Sequence, residues 1–161
     1  MNKKRILVVD DEVGFTRLLK LNLEQTNDYV VRIENRPDHA LSAAMEFGPD
    51  LVLLDVMMPG TLGGDVAVRL RDDDRFKATP IVFITAAVSK TRVKEHDGVI
   101  SGFPFLAKPS SVEEVIEQIE QRLAAFGPST KRSPSTQGPA LLPALTRTGS
   151  RRECDLREVV C

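Results

Sequence analysis

The sequence predicts an α/β sandwich, a doubly wound parallel sheet with helices on both faces. Three observations lead there. Short β-rich runs alternate with amphipathic helical patterns from residue 5 to residue 126. Three of those runs, RILVVD, LVLLD and PIVFIT, are apolar almost throughout, as strands covered on both faces must be. Most of the runs also end abruptly in polar or charged residues, at the edge where doubly wound sheets carry their functional crevice.

The first strand is expected over 5–10, followed by a helix whose Phe15, Leu18, Leu19 and Leu23 share a face. YVVRIE at 29–34 is the second strand, ending in Glu34 and Asn35 and expected at the sheet edge. The second helix buries Ala40, Leu41, Ala43, Ala44 and Phe47. LVLLD at 51–55 is the third strand, and MMPG turns the chain immediately after it. A third helix after Gly63-Gly64 uses Val66, Ala67 and Leu70. PIVFIT at 80–85 is the fourth strand; the segment 88–100 behind it is the poorest helical pattern and is expected to be the most mobile element. FPFLA at 103–107 is the fifth strand. The last helix carries a stripe of Val112, Val115, Ile116, Ile119 and Leu123 beside four glutamates, with Ser110 or Ser111 as its cap.

Composition shifts after Phe126. Residues 127–161 hold four of the ten prolines and six Lys/Arg against three Asp/Glu, leaving 16 against 20 in residues 1–126. The tail is expected to be disordered, with too little patterned apolar surface to offset the entropy of ordering. The domain is thus expected over 1–126. A net charge of −1 gives no whole-chain attraction to nucleic acid or an anionic membrane. The apolar run Ile6–Val9 is too short for a signal-peptide core, and no stretch approaches the ~20 apolar residues of a membrane span. Cys154 and Cys161 form no metal pattern, so a reducing cytoplasm is the expected setting.

The strand ends carry the chemistry. The first delivers Asp10, Asp11 and Glu12, the third Asp55, the fourth Thr85, and the fifth runs into Lys108-Pro109. Two carboxylates about 4 Å apart repel by roughly 4 kcal/mol at an effective dielectric of ~20. A hard divalent cation relieves that repulsion, and Mg²⁺ suits a few carboxylate oxygens, water and a backbone carbonyl. A metal, an ammonium and a hydroxyl around one carboxylate are what phosphoryl transfer to that carboxylate requires. Asp55 is the expected nucleophile, held by a core strand and exposed by the turn behind it.

VVDDE, LVLLDVMMPG, IVFITA and FLAKP, in this order and spacing, resemble the receiver domain of two-component response regulators over about residues 4–126. The resemblance implies a flavodoxin-like five-stranded sheet of order 2-1-3-4-5. It also implies a stand-alone phosphoacceptor rather than a turnover enzyme. Asp55 matches the phosphoacceptor; Asp11 and Asp55 match direct Mg²⁺ ligands; Met57 supplies a liganding carbonyl, and Asp10 acts through water. Thr85 and Lys108 match the phosphoryl-binding side chains, assisted by the backbone amides of Met57 and Ala86. Thr85 and Phe105 match the switch pair, and Lys108-Pro109 a cis peptide. The implied partners are a histidine kinase or phosphotransfer protein, and a downstream protein bound at the face of segments 88–100, 103–107 and 112–126. No nucleic acid or membrane partner is expected, and the protein is expected as a monomer or weak dimer. Phe103 is expected to make that face apolar, and Pro104 requires the fifth strand to be an edge. Apolar Met57 and Ala87 imply slow hydrolysis of the acyl phosphate. A phosphatase of the haloacid dehalogenase type would need a second aspartate where Met57 stands.

Overall fold

The computed structural model describes residues 2–86, 99–100, 103–108 and 110–126. The expected tail at 127–161, the Lys108-Pro109 peptide, Ala87 and nearly all of the segment 88–100 lie outside the described residues.

The main sheet has six strands: β1 (Lys4–Val9), β2 (Tyr29–Glu34), β3 (Leu51–Leu54), β6 (Ile81–Thr85), β7 (Val99–Ile100) and β8 (Phe103–Ala107). Their order is β2-β1-β3-β6-β8-β7. All neighbours are parallel except β7 and β8, which form an antiparallel pair. The five expected strands therefore stand in the expected order, with β2 at one edge. Between β3 and β6 a two-stranded ribbon, β4 (Met57–Met58) and β5 (Thr61–Leu62), was not foreseen. Its turn places Pro59 and Gly60 at the centre, and Gly60 has φ +77°, a conformation that costs glycine nothing.

The helices are α1 (Val13–Gln25), α2 (Ala40–Phe47), α3 (Gly63–Asp72) and α4 (Val112–Phe126), with a 3₁₀ turn at Pro37–His39. Strand alternation sorts the core into two layers. Leu7, Val9, Val52, Leu54, Phe83 and Phe105 pack with α2 and α3. Ile6, Val8, Leu51, Leu53, Ile84 and Leu106 pack with α1 and α4. The apolar runs of β1, β3 and β6 are buried on both faces, as expected. α4 opens with a reciprocal cap: the Glu114 amide donates to Ser111 Oγ at 3.2 Å, and the Ser111 amide to Glu114 Oε2 at 2.9 Å.

Three expectations require correction. Leu18 is 61% exposed, so α1 faces the core with Thr16, Leu19 and Leu23 instead. The fifth expected strand, β8, is not outermost, because β7 pairs Val99 with Pro104 and Ile100 with Phe103 on its outer side. Proline is accommodated because the parallel register with β6 begins at Phe105, one residue later. Phe103 does not make an apolar surface: it is buried edge-on against Phe83, and the Arg71 guanidinium lies 4.4 Å from its ring centre.

Candidate functional site

Asp10, Asp55, Thr85 and Lys108 each stand at the carboxyl end of a strand. One residue beyond β1, β3 and β8, the alternation directs Asp10, Asp55 and Lys108 toward the α1/α4 side of the sheet. Thr85, two residues after Phe83, belongs to the opposite, α2/α3 side. The sequence order of apolar residues thus decides which polar groups meet.

Asp10 is fully buried and Asp55 nearly so, while Asp11 is exposed. One carboxylate oxygen from each of the three lies within 4.8 Å of the others. Lys108 Nζ stands 2.5 Å from Asp10 Oδ2, 3.6 Å from Glu12 and 3.7 Å from Asp55 Oδ2. The ammonium is therefore inside the acid cluster and bound to Asp10, rather than across the pocket from it. It also lies 4.3 Å from the centre of the Phe15 ring, which roofs it. Burial raises the pKa of Asp10 against the opposing pull of Lys108 and of the Glu12 amide. Burial works against the Lys108 ammonium, yet its bond to Asp10 and the charges of Asp10, Asp55 and Glu12 carry its pKa above the ordinary value. The three hard oxygen donors, two of them shielded from water, fit a small divalent cation.

The backbone around Asp55 is fixed from two sides. The Asp55 amide donates to Val9 O at 2.9 Å, and the Met57 amide reaches Asp55 Oδ1 at 3.4 Å. The Met57 side chain is 47% exposed. Thr85 is buried, and its carbonyl accepts from the Lys108 amide at 2.8 Å, so the two expected phosphoryl-binding residues are neighbours across β6 and β8. Ala86 follows, exposed. Phe105 points inward, stacked on Phe83 with ring centres 4.9 Å apart.

Two residues at this site were not foreseen. Phe15 looked like one more member of an apolar helix stripe, and its place over Lys108 follows only from how α1 lies on the sheet. Gly63, taken only as the start of a helix, lies directly against the Asp55 backbone. A Cβ there would stand 2.0 Å from the Asp55 carbonyl oxygen, while the Gly63 amide donates to Val56 O at 2.8 Å. A glycine closely following an acid-bearing turn is the one signal that could have flagged it.

The sequence model of the Response regulator receiver domain matches residues 6–120. The transcriptional regulatory protein ResD of Bacillus subtilis is 38% identical over 127 residues, covering 76% of this chain and 49% of that protein. The uncharacterized transcriptional regulatory protein YkoG of the same organism is 39% identical over 132 residues, covering 81% and 56%. The chain spans about half the length of these curated relatives. Among solved structures, the chemotaxis protein CheY4 of Vibrio cholerae superposes with a TM-score of 0.64 at 25% identity, covering 76% of this chain and all of that one. The chain belongs to the response regulator receiver domain family, the phosphoacceptor module of two-component signalling. Among the described residues, no helix is long and apolar enough to cross a membrane.

Proposed function

We propose that Asp55 accepts a phosphoryl group from a phosphohistidine of a histidine kinase or phosphotransfer protein in the cytoplasm. The observation that carries this is the meeting of Asp10, Asp11, Asp55 and Lys108 in one half-shielded cluster at the strand ends of a receiver fold. Asp11 and Asp55, with the Met57 carbonyl, are the groups that would hold Mg²⁺, with Asp10 beside them. The ion, when bound, offsets the repulsion among the carboxylates and the charge on the phosphoryl oxygens. An Asp55 carboxylate oxygen forms its bond to phosphorus as the phosphorus–nitrogen bond to the donor histidine breaks. Lys108 needs only to turn from Asp10 to reach the new phosphoryl oxygens, since it already stands 3.7 Å from Asp55. Thr85 Oγ1 and the Met57 and Ala86 amides would bind the remaining oxygens.

The chain acts by changing its surface rather than by turning over an external substrate. Thr85 lies on the same side of the sheet as the Phe83–Phe105 stack, so a shift of Thr85 toward the phosphoryl group biases the packing beneath it. The downstream protein binds on the exposed glutamates of α4, beside β8; all five residues of β8 are buried, so Phe103 makes no part of that contact. Residues 1–126, with 16 basic against 20 acidic groups, have no electrostatic drive toward nucleic acid of their own.

The test is incubation with Mg²⁺ and a small acyl phosphate, read by intact mass. The native chain should gain one phosphoryl group, labile to base, and Asp55→Asn none. Equal uptake by both, or none by the native chain, would sink the proposal.

A further inference from the structure

Asn35 closes the second strand and plays no part in the chemistry above, yet its amide reaches away from its own strand. Nδ2 lies 2.6 Å from the Asp10 carbonyl oxygen and 3.1 Å from Thr16 Oγ1, respectively 25 and 19 residues distant in sequence. A carbonyl oxygen only accepts, so the amide nitrogen must face it, and both Nδ2 hydrogens are engaged. Thr16 is fully buried, and its hydroxyl donates in turn to Val13 O at 3.1 Å. The β1–α1 loop is therefore gripped at its first residue and at the first turn of the helix that follows. Between those two points lie Asp11 and Glu12. The loop is also braced from within: the Glu12 amide donates to Asp10 Oδ1 at 2.9 Å, and the Thr16 amide to Glu12 O at 3.0 Å. Asp11 and Asn35 line the same hollow of about 360 Å³, with Asp38, Pro59 and Thr61 on its other walls.

We infer that Asn35 is a positioning residue for the metal-binding acid loop: it sets where the Asp11 carboxylate stands relative to Asp55. This rests on the proposed divalent-cation site. An amide serving only to finish β2 would bond within β2 or to the 3₁₀ turn after it; both acceptors here belong to the segment that carries the acids. Removing the donor leaves the Asp10 carbonyl and the loop's path free to shift, and groups that orient a metal ligand typically contribute roughly 10- to 100-fold to metal affinity.

The experiment is titration of the full chain with Mn²⁺, followed by the paramagnetic resonance of the free ion, for native protein, Asn35→Ala and Asn35→Leu. Leucine keeps the branched shape of asparagine in a bulkier form and cannot donate. Melting temperatures without metal establish that each variant is folded, and the rise produced by a fixed Mn²⁺ concentration gives a second readout of affinity. Both variants should bind Mn²⁺ about 10-fold more weakly or worse, with a correspondingly smaller metal-induced rise, even where their metal-free melting is close to native. Native uptake of Mn²⁺ with variant affinities within about twofold of it would overturn the role of Asn35 alone. A native chain that takes up no Mn²⁺ would overturn the cation site, and this inference with it.

Discussion

The two faces of the sheet are built from different side chains. The α1/α4 side is aliphatic apart from Tyr29 and half-buried Phe15, with Ile6, Val8, Leu51, Leu53, Val82, Ile84 and Leu106 supplied by the strands. The α2/α3 side holds Phe76, Phe83, Phe103 and Phe105. Phe83 is the hub of that side, with Phe103 edge-on at 5.2 Å and Phe105 stacked at 4.9 Å. Aliphatic side chains gain mainly from the area they bury and tolerate volume-conserving exchange. Rings have preferred mutual geometries, so displacing one obliges its neighbours to follow. Asp10, Asp55 and Lys108 project from the aliphatic side, whereas Thr85 belongs to the aromatic, coupled side. In the proposed mechanism, ligand geometry is thus held by one layer and the readout is carried by the other.

The strongest way to break this contrast is Phe83→Ala. Removing the hub should cost about 3–5 kcal/mol of stability in denaturant unfolding and free both flanking rings. A cost below about 1 kcal/mol would show that the rings do not depend on one another. Gly63→Ala sharpens the comparison from the site side. Its Cβ would collide with the Asp55 carbonyl, so about 1–3 kcal/mol of overpacking strain is expected, with phosphoryl uptake falling more than that destabilisation alone would explain. Unfolding curves and intact-mass time courses measure the two effects. Unchanged uptake in Gly63→Ala would show that the Asp55 backbone yields without consequence.

The smallest effect should come from a pair that belongs to neither face. Asp73 follows α3, and Arg75 donates to it from Nη2 at 2.6 Å and Nε at 2.9 Å, holding its pKa at about 2. Because the folded value lies below the ordinary 3.8, the pair's contribution is complete above about pH 4 and is lost as pH falls through about 2. Thermal melts between those limits should fall slightly more for the native chain than for Arg75→Ala. A steeper fall in the variant would reverse the sign.

Much of this was legible in the order of residues alone. The apolar runs at Ile6–Val9, Leu51–Leu54 and Ile81–Ile84 could only be strands covered twice, and that placed Asp10, Asp55 and Thr85 at one edge. The stripes of α2, α3 and α4 were readable because burial there repeats with the helical period. Leu18 misled, since an apolar side chain does not have to be buried, and on α1 it faces outward. Phe103 misled because Arg71 of α3 covers it, a contact between residues far apart in the chain.

Pattern and period set the fold, the strand edge bearing the site and the acids that converge there, because each depends on spacing within a short stretch. The grip of Asn35 on the Asp10 loop, the Phe15 roof over Lys108, the contact of Gly63 with Asp55 and the short β7 beside β8 depend on where separate elements come to rest. Distances of that kind exist only once the chain has closed on itself, so no local pattern encodes them.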